Sequence, residues 1–439
     1  ANGRAVLAGA LAGAAGLIAV ATMPLLRAKE LKQIIDKARI GAALCDVRLR
    51  DELAAAQAQC PDLRQVLYFN DGAPGSLDAL AAAKPETFEN VDTALEDPCL
   101  IAFTSGTTGQ PKGTVHFHRD VMAMCDCFPR STLRAQADEV FCGTPPLAFT
   151  FGLGGMLCFP MRVGASTVLS ERLTPETLLA TVGQFRATTM FTAPTFYRQM
   201  SALAQNYELS TLRKCVSAGE ALPDATRQLW KNATGIEIID GLGATEMIHI
   251  FVSHTPERTR RGATGYAIPG YRATVLDDEG RTCPPGVVGK LAIKGPTGCR
   301  YLADERQKSY VKWGWNLTGD AYKMDEDGYF YYQARTDDMI ISAGYNIAGP
   351  EVESALLAHE AVAECGVIGA ADEERGQIVK AFVVLKPGFA GDAAMVKTLQ
   401  DYVKNTIAPY KYPRAIEFRE SLPRTETGKL QRFRLREGA

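Results

Sequence analysis

The most informative segment reads Leu100-Ile-Ala-Phe-Thr-Ser-Gly-Thr-Thr-Gly-Gln-Pro-Lys-Gly-Thr114. An apolar strand over 100–103 leads into a turn with four hydroxyl side chains and two glycines, and Lys112 follows. Glycines let the backbone approach an anion closely, hydroxyl and N–H groups donate to phosphate oxygens, and the lysine adds positive charge. The segment therefore predicts a phosphate-binding loop.

Two alternative interpretations of this loop fit less well. A Walker A loop requires Gly-Lys-Ser/Thr five residues after its first glycine, whereas Pro111 lies five residues after Gly106. An ordinary surface turn would explain the glycines and hydroxyls one by one, but not so many phosphate-binding groups packed together. We therefore expect a phosphate ligand without a Walker A fold.

Outside the loop, short apolar runs alternate with amphipathic helical stretches. Before the loop the pattern predicts a helix over 28–38 and strands over 42–45 and 65–69. After it, the predicted strands are 167–169, 189–192, 214–217 and 237–240. Such alternation is typical of an α/β architecture built on parallel strands. From about residue 264, short strands and turns predict a β-rich subdomain.

The pattern changes again near Arg335. Pro350 lies early in a predicted helix, where its missing N–H costs nothing. Strands at 364–368 and 381–385 and a helix at 393–407 follow. Together they predict a small α+β unit of about 100 residues.

A second glycine motif, Gly241-Leu-Gly-Ala-Thr-Glu246, follows the predicted strand 237–240. It does not fit the dinucleotide-binding pattern GxGxxG, because Glu246 stands where Gly or Ala is needed for helix–strand packing. One interpretation of Glu246 is a carboxylate placed near a helix N-terminus, where the helix dipole favours it.

Taken residue by residue, Thr104-Ser-Gly-Thr-Thr-Gly-Gln-Pro-Lys112 resembles the phosphate loop of the adenylate-forming superfamily, which includes acyl-CoA synthetases, peptide-synthetase adenylation domains and luciferases. The resemblance implies a mobile loop that holds the β- and γ-phosphates of ATP. Its binding residues would be Thr104, Ser105, Gly106, Thr107, Thr108, Gly109 and Lys112.

The same resemblance assigns the second glycine motif. Thr245 would contact the α-phosphate, and Glu246 would bind Mg²⁺, a hard cation that prefers oxygen ligands. Asp240 would accept a hydrogen bond from the adenine amino group. Two stretches would line the nucleotide: Ala218, Gly219 and Glu220 would lie along the adenine, and Gly241, Leu242 and Gly243 belong to the second glycine motif itself. Leu242 replaces a frequent aromatic residue, so we expect apolar contact with adenine in place of stacking.

Three motifs nearer the C-terminus complete the resemblance. Trp315-Asn-Leu-Thr-Gly-Asp320 matches the ribose motif, in which Asp320 accepts hydrogen bonds from the ribose hydroxyls. In the segment after Ala334, Arg335 would contact the nucleotide, Asp337 would be the hinge, and Gly344 would line the channel for the pantetheine of coenzyme A.

The last motif, Pro423-Arg-Thr-Glu-Thr-Gly-Lys429, supplies the lysine that the resemblance makes catalytic. Lys429 would stabilise the charge that gathers when a carboxylate attacks the α-phosphate. Without the other motifs, the several arginines around it would favour an ordinary basic tail.

The resemblance implies an α/β adenylate-forming fold. Residues 1–336 would form a large domain of α/β subdomains plus a β-rich subdomain, and 337–439 a small mobile α+β domain. We also expect the large domain to lack several elements that relatives carry before the segment 16–26.

Some segments resemble the benzoate and 2-aminobenzoate CoA ligases in particular. They include Pro145-Pro-Leu-Ala-Phe-Thr-Phe-Gly-Leu-Gly-Gly155 and Glu246-Met-Ile-His-Ile-Phe251. The implied pocket has Phe151 and His249 in its wall, which suits a flat aromatic carboxylate and excludes long chains by volume. A packed core histidine is the alternative for His249.

The function therefore predicted is an ATP-dependent ligase that forms an aroyl-AMP and transfers the acyl group to coenzyme A. Four alternatives stay open: a carrier-protein-loading adenylation domain, a CoA ligase for another small acid, a luciferase-type oxygenase, and a non-enzymatic nucleotide sensor. No motif points to a carrier attachment site, and none of the catalytic motifs is lost.

Composition narrows the partners. Lys and Arg total 48 against 50 Asp and Glu, so a net charge of −2 gives no electrostatic reason to expect nucleic acid or an anionic membrane. The 11 cysteines lack a CxxC pair, which favours free thiols in a reducing cytoplasm. The uncharged segment 5–26 could be a signal peptide or membrane span, but its many Ala and Gly residues favour a buried helix followed by a strand over 16–23. The pattern leaves a homodimer open.

Overall fold

The computed structural model describes residues 15–24, 26–104, 111–335, 338–342, 345–372, 375–424 and 430–437. Backbone packing divides the chain into two compact units. Unit 1 is formed by the chain up to Phe191 with Gly243–Ile250 and Gly295–Val311, and unit 2 by Thr192–Leu242, Phe251–Lys294 and the chain from Lys312. The predicted boundary between 336 and 337 concerns rotation of a domain, which packing does not test, and it stays a prediction.

Strands are spread over the whole described chain. In chain order they are β1 (Ala42–Asp46), β2 (Gln65–Phe69), β3 (Pro98–Thr104), β4 (Lys112–Phe117), β5 (Val140–Gly143), β6 (Ser166–Thr167), β7 (Thr189–Thr192), β8 (Lys214–Ala218), β9 (Ile238–Gly243), β10 (Ile250–Ser253), β11 (Tyr266–Ala267), β12 (Arg272–Leu276), β13 (Gly289–Lys294), β14 (Val311–Lys312), β15 (Trp315–Met324), β16 (Phe330–Arg335), β17 (Ile340–Ser342), β18 (Tyr345–Ile347), β19 (Val362–Asp372), β20 (Gly376–Leu385) and β21 (Ala415–Phe418).

The α-helices lie between these strands. They are α1 (Ala28–Ala38), α2 (Arg50–Gln57), α3 (Leu77–Ala82), α4 (His118–Phe128), α5 (Thr150–Leu153), α6 (Phe159–Val163), α7 (Pro175–Phe185), α8 (Pro194–Ser201), α9 (Asp224–Thr234), α10 (Gln307–Tyr310), α11 (Gly349–Leu357), α12 (Ala393–Thr406) and α13 (Arg432–Arg436). Within the described ranges, no helix combines the length and the apolar character needed to cross a bilayer.

Unit 1 contains the hairpin that flanks the predicted phosphate loop. β3 and β4 are antiparallel, and Thr104 pairs with Lys112, so the two ends of the loop are held side by side. In the same unit β5 pairs in parallel with β6 and β7. All four residues of β7 are buried, as is typical of a parallel strand that is covered on both faces.

The predicted strand near 16–23 is much shorter than expected. Ala19 forms a single parallel bridge with Leu100. Its N–H donates to the Cys99 carbonyl at 2.9 Å, and its carbonyl accepts from the Ile101 N–H at 2.9 Å. The residues on either side form turns or irregular chain, and 1–14 lie outside the described residues. The extended conformation was therefore predicted correctly, but its length was not.

Unit 2 begins with a second parallel pair. β8 and β9 run in parallel with Ala218 opposite Gly241, and Trp230 of α9 packs edge-on against Tyr197 of α8 with 5.2 Å between ring centroids. The predicted β-rich region is present as the antiparallel ladders β12–β13, β13–β15 and β15–β16.

The last part of unit 2 is the predicted small α+β unit. β19 and β20 are antiparallel, and β21 adds in parallel to β20. α11 and α12 contribute Val352, Leu356, Leu399 and Val403 to a core that also contains buried residues of the strands. Burying each such side chain contributes roughly 1.5–3 kcal/mol relative to leaving it in water. The predicted helix at 393–407 corresponds to α12.

All 11 cysteines are free thiols. Only Cys45, Cys127 and Cys158 are partly exposed. Burial raises the pKa of Cys45 and of Cys127. Hydrogen bonding with Cys125, together with burial, raises the pKa of Cys158. The prediction of free thiols agrees with the structure.

Candidate active site

In unit 1, a chain of polar contacts leads from Lys112 to Glu246. The buried Tyr301 hydroxyl donates to Glu246 Oε1 at 2.5 Å, and Lys112 Nζ lies 3.5 Å from the same hydroxyl oxygen. Burial and the negative charge of Glu246 raise the pKa of the Tyr301 hydroxyl, so it remains a hydrogen-bond donor. The lysine predicted for phosphate and the carboxylate predicted for Mg²⁺ are thus close to one another.

Thr245 and Glu246 begin a short 3-10 turn, Thr245–Met247. The turn is tied to β4 because the buried His116 hydrogen-bonds through Nε2 to the Thr245 carbonyl oxygen at 2.8 Å. Since β4 also carries Lys112 at its start, the strand places both predicted phosphate contacts relative to one another.

The Glu246 environment fits Mg²⁺. Its carboxylate is a hard oxygen donor that is only 9% exposed. Among the described residues, no group of three or more His, Cys, Asp or Glu side chains could hold a metal ion. Mg²⁺ is commonly bound by one or two carboxylates together with substrate phosphates and water, so a single carboxylate near Lys112, at the end of the predicted phosphate loop, suits it.

In unit 2, Asp240 is a buried carboxyl group. Its Oδ1 makes no hydrogen bond within the described residues. Its backbone is fixed on both sides: the N–H donates to His254 Nε2 at 3.3 Å, and the carbonyl accepts from Ser253 Oγ at 2.5 Å. Burial raises the pKa of Asp240 to about 8. An unpaired buried acceptor is costly, and an incoming amino group such as that of adenine would satisfy it.

Asp320 and Arg335, predicted for the nucleotide, pair with one another in unit 2. They lie opposite each other on β15 and β16, and Arg335 Nη1 donates to Asp320 Oδ1 at 3.0 Å and to the Thr318 carbonyl at 3.1 Å. Gly319, which precedes Asp320, has φ +77°, and a Cβ there would lie 2.7 Å from Arg335 Nη2. Glycine is favoured at this position because other residues rarely adopt this backbone conformation.

The segment predicted to lie along adenine follows β8. Ala218 is its buried last residue, Gly219 is exposed, and Glu220 is half-buried. Glu220 accepts a hydrogen bond from Thr195 Oγ1 at 3.0 Å and lies 3.5 Å from Arg424. Within the other motif, Gly241 is buried, Leu242 half-buried and Gly243 exposed at the end of β9.

The two residues predicted for the acyl pocket are in contact in unit 1. The His249 ring lies 5.9 Å from the Phe151 ring and 4.5 Å from that of Phe159, and it is 3% exposed. The Phe128 ring centroid is 5.9 Å from that of His249. Gly154 brings its chain so close that a Cβ there would lie 2.4 Å from His249 Cδ2. His249 is therefore enclosed by aromatic rings and a glycine.

Burial lowers the pKa of His249 to about 3, so its ring is neutral at physiological pH. Nε2 is 3.4 Å from the Phe151 carbonyl oxygen, and Nδ1 has no partner within the described residues. Ile248, just before it, has φ 65°. This conformation costs on the order of 1–3 kcal/mol for a β-branched residue, and such strain is concentrated at functional sites.

Several predicted residues lie outside the described part of the chain. They are Ser105, Gly106, Thr107, Thr108 and Gly109 of the loop, the hinge Asp337, Gly344 of the pantetheine channel, and Lys429. Their roles stay predictions.

Other residues at these positions were not predicted from the sequence. Tyr301 contacts Glu246, 55 residues away in the chain, and His116 contacts Thr245, 129 residues away. No local sequence pattern therefore indicates either residue. Phe159 was missed although it follows the quoted glycine stretch by only four residues. The available signal was its position at i+8 from Phe151, which lies on roughly the same face of a helix.

Comparison with known proteins agrees with this arrangement of motifs. The family model described as AMP-binding enzyme matches residues 4–301, and the AMP-binding enzyme C-terminal domain matches 351–429. The chain is 38% identical over 435 residues to the benzoate–CoA ligase of Thauera aromatica, covering 98% of this chain and 82% of that protein. It is 33% identical over 436 residues to a mitochondrial acyl-coenzyme A synthetase of Homo sapiens, covering 96% and 75%.

Among solved structures, the chain is similar to an anthranilate CoA ligase in complex with anthranoyl-AMP. The TM-score is 0.91 at 36% identity, over 97% of this chain and 83% of that one. The large N-terminal domain and the C-terminal domain of the family are both represented. The chain therefore belongs to the AMP-binding, adenylate-forming enzymes and is an AMP-forming acid–thiol ligase that uses ATP, Mg²⁺ and coenzyme A.

Proposed function

We propose that this ligase acts on an aromatic carboxylic acid of the benzoate or 2-aminobenzoate type. In the first step a carboxylate oxygen attacks the α-phosphorus of ATP, and the bond to pyrophosphate breaks. In the second step the thiol of coenzyme A loses its proton as its sulfur attacks the acyl carbon, and AMP leaves with the electron pair of the broken bond.

The observation that carries the choice of acid is the aromatic enclosure of His249. Phe128, Phe151 and Phe159 surround a ring that is neutral and almost fully buried. A flat apolar ring would find edge and face contacts here, each worth about 0.5–1.5 kcal/mol beyond the area buried. Two of the three relatives named above carry benzoate or anthranilate in their names, which supports the same class.

The nucleotide contacts are assigned motif by motif. We assign Thr104 and Lys112 to the terminal phosphates, with the loop residues between them, and Thr245 to the α-phosphate. Asp240 would accept from the adenine amino group, since its Oδ1 is buried without a partner. Asp320 would accept from the ribose hydroxyls, oriented by its pair with Arg335.

Glu246 is the proposed protein ligand of Mg²⁺, which when bound neutralises phosphate charge and makes pyrophosphate a better leaving group. Lys429 is the proposed catalytic residue of the first step, where its ammonium would stabilise the charge shared by the attacking carboxylate and the α-phosphate. Rotation about Asp337 would then replace Lys429 with the channel lined by Gly344. The proposed location of this enzyme is the cytoplasm, and its proposed assembly is a homodimer.

The test is a comparison of kcat/KM for benzoate, 2-aminobenzoate, phenylacetate, hexanoate and octanoate, measured by pyrophosphate release. The kcat/KM for benzoate or 2-aminobenzoate should exceed that for octanoate by two orders of magnitude or more. A single methylene already changes kcat/KM by about 10–200-fold in an apolar pocket, and octanoate differs from benzoate by more than that. A higher kcat/KM for either fatty acid would overturn the aromatic assignment.

A pocket variant makes this test specific. Gly154→Ala should displace His249, because the new Cβ would overlap its ring, and should raise KM for benzoate at least tenfold while ATP affinity is unchanged. Gly72→Ala is the matched control, since a Cβ there meets nothing within 4 Å. If Gly154→Ala leaves the KM for benzoate unchanged, His249 does not line the acyl site.

A further inference from the structure

Tyr301 is held beside the strand that starts at Lys112. The Val115 N–H donates to the Arg300 carbonyl at 2.7 Å, and the Leu302 N–H donates to the Gly113 carbonyl at 2.8 Å. Thr114 and Tyr301 face each other as a bridge between these two bonds. The backbone of Tyr301 is thereby fixed to β4, the strand that follows the phosphate loop.

The ring and hydroxyl of Tyr301 are fixed as well. Its ring packs edge-on against Tyr310 with 5.8 Å between centroids, and its N–H donates to Gln307 Oε1 at 2.8 Å. The Lys112 ammonium lies over the ring at 5.4 Å from its centroid. The hydroxyl that donates to Glu246 is therefore positioned by contacts that do not involve Glu246.

A carboxylate with one oxygen held by a fixed donor has lost rotational freedom and presents its other oxygen in a defined direction. Partners of this kind orient metal ligands, and their removal commonly costs 10–100-fold in metal affinity. The Tyr301–Glu246 bond is short, as expected for a hydroxyl donor and an ionised acceptor.

We propose that Tyr301 is a positioning residue that holds the Glu246 carboxylate in place for Mg²⁺ and fixes its position relative to Lys112. The inference rests on the proposed role of Glu246 as metal ligand. It adds a residue that neither the motifs nor the sequence pattern identifies.

The test measures metal binding directly on the full chain. Mn²⁺ serves as the probe for Mg²⁺, and the free ion is followed by electron paramagnetic resonance in the presence of a non-hydrolysable α,β-methylene ATP. Tyr301→Phe removes one oxygen and keeps the ring, and we expect the apparent Kd for Mn²⁺ to rise about tenfold or more. Binding of the analogue without metal should stay within about twofold of wild type.

Two further variants identify the cause. Tyr310→Phe removes a hydroxyl from the ring that packs on Tyr301 and should leave Mn²⁺ affinity unchanged. Glu246→Gln should weaken Mn²⁺ binding at least as much as Tyr301→Phe. The double variant should bind Mn²⁺ no more weakly than Glu246→Gln alone, because both changes disrupt the same Tyr301–Glu246 interaction. In steady state, Tyr301→Phe should need more Mg²⁺ for half-maximal pyrophosphate release and recover kcat when Mg²⁺ is saturating.

The outcomes separate the two hypotheses. Normal Mn²⁺ affinity in Glu246→Gln would overturn the proposed metal role of Glu246. Weak binding in Glu246→Gln with normal binding in Tyr301→Phe would overturn only the positioning role of Tyr301. Equal losses of analogue binding with and without metal, or a large fall in Tm, would make Tyr301 a structural residue and also overturn the proposal.

Discussion

At the scale of single residues, Asp240, which we propose binds adenine, reduces the stability of the folded protein as pH rises. The carboxyl group is buried with an unpaired oxygen, and burial raises its pKa from the usual 3.8 to about 8. Between these two values the unfolded chain loses a proton that the folded chain keeps. The folded state therefore loses stability as pH rises from about 4 to about 8.

Asp240→Asn should remove this pH dependence. The amide has nearly the same shape and cannot ionise. The difference in free energy of unfolding between variant and wild type should therefore grow in favour of the variant by up to about 1.4 kcal/mol for each pH unit. Thermal unfolding without nucleotide at pH 5, 6, 7 and 8 measures the difference. The exposed Asp92→Asn is the control and should follow wild type. Parallel curves for Asp240→Asn and wild type would mean that Asp240 is ionised throughout.

At the scale of elements, one arginine connects α8 to the end of α11. Arg198 donates through Nε to the Ala363 carbonyl at 3.1 Å, and through Nη2 to the carbonyls of Val362 at 3.1 Å and Leu357 at 3.3 Å. Burial lowers the pKa of Arg198. A cation at a helix C-terminus also interacts favourably with the helix dipole. The arginine therefore satisfies carbonyls that the helix itself leaves without partners.

Arg198→Met should loosen α11 and the start of β19. Methionine keeps much of the apolar stem but removes every donor, and hydrogen bonds from charged groups are worth about 1.5–3 kcal/mol each. Amide exchange over 349–366 should accelerate about tenfold or more, measured by hydrogen–deuterium exchange, while exchange in β5 stays the same. The exposed Arg172→Met is the control. Unchanged exchange over 349–366 would show that these bonds contribute little.

The elements were predicted well where the pattern is local. The helix over 28–38 has the predicted bounds, and β7 and α12 lie where apolar runs and helical periodicity indicated. Prediction was less accurate at Ala19, because the strand pairs with β3 at only one bridge. Sequence separation set the limit at the site: Glu246 was named, but its partner Tyr301 is 55 residues further along the chain.

At the scale of the whole molecule, the proposed mechanism divides the chemistry between two conformations. The family match and the motif order support a small C-terminal domain, but rotation involves Asp337, Gly344 and Lys429, which lie outside the described residues. Rotation leaves no periodic signal in a sequence, so only the resemblance predicts it. Assays of the separate half-reactions are the direct test.

Lys429→Ala should abolish adenylate formation and spare thioester formation. Loss of one transition-state donor costs about 10²–10³ in rate, and the variant should still convert preformed aroyl-AMP and coenzyme A to product. Gly344→Leu should do the opposite, because its side chain would fill the pantetheine channel. Pyrophosphate release and thioester formation, each assayed alone on both variants, decide the matter. Equal loss of both steps in Lys429→Ala would exclude division of labour between two conformations.

The thiols of this chain make that rotation easier to observe. Alkylating dyes react with thiolates, and the three partly exposed cysteines have raised pKa values, so all three react slowly near neutral pH. Cysteines introduced at the exposed positions Asp92 and Lys397 would then be labelled by a pair of maleimide dyes in preference to the native cysteines. Single-molecule energy transfer could follow the two positions through a catalytic cycle without first removing the native cysteines.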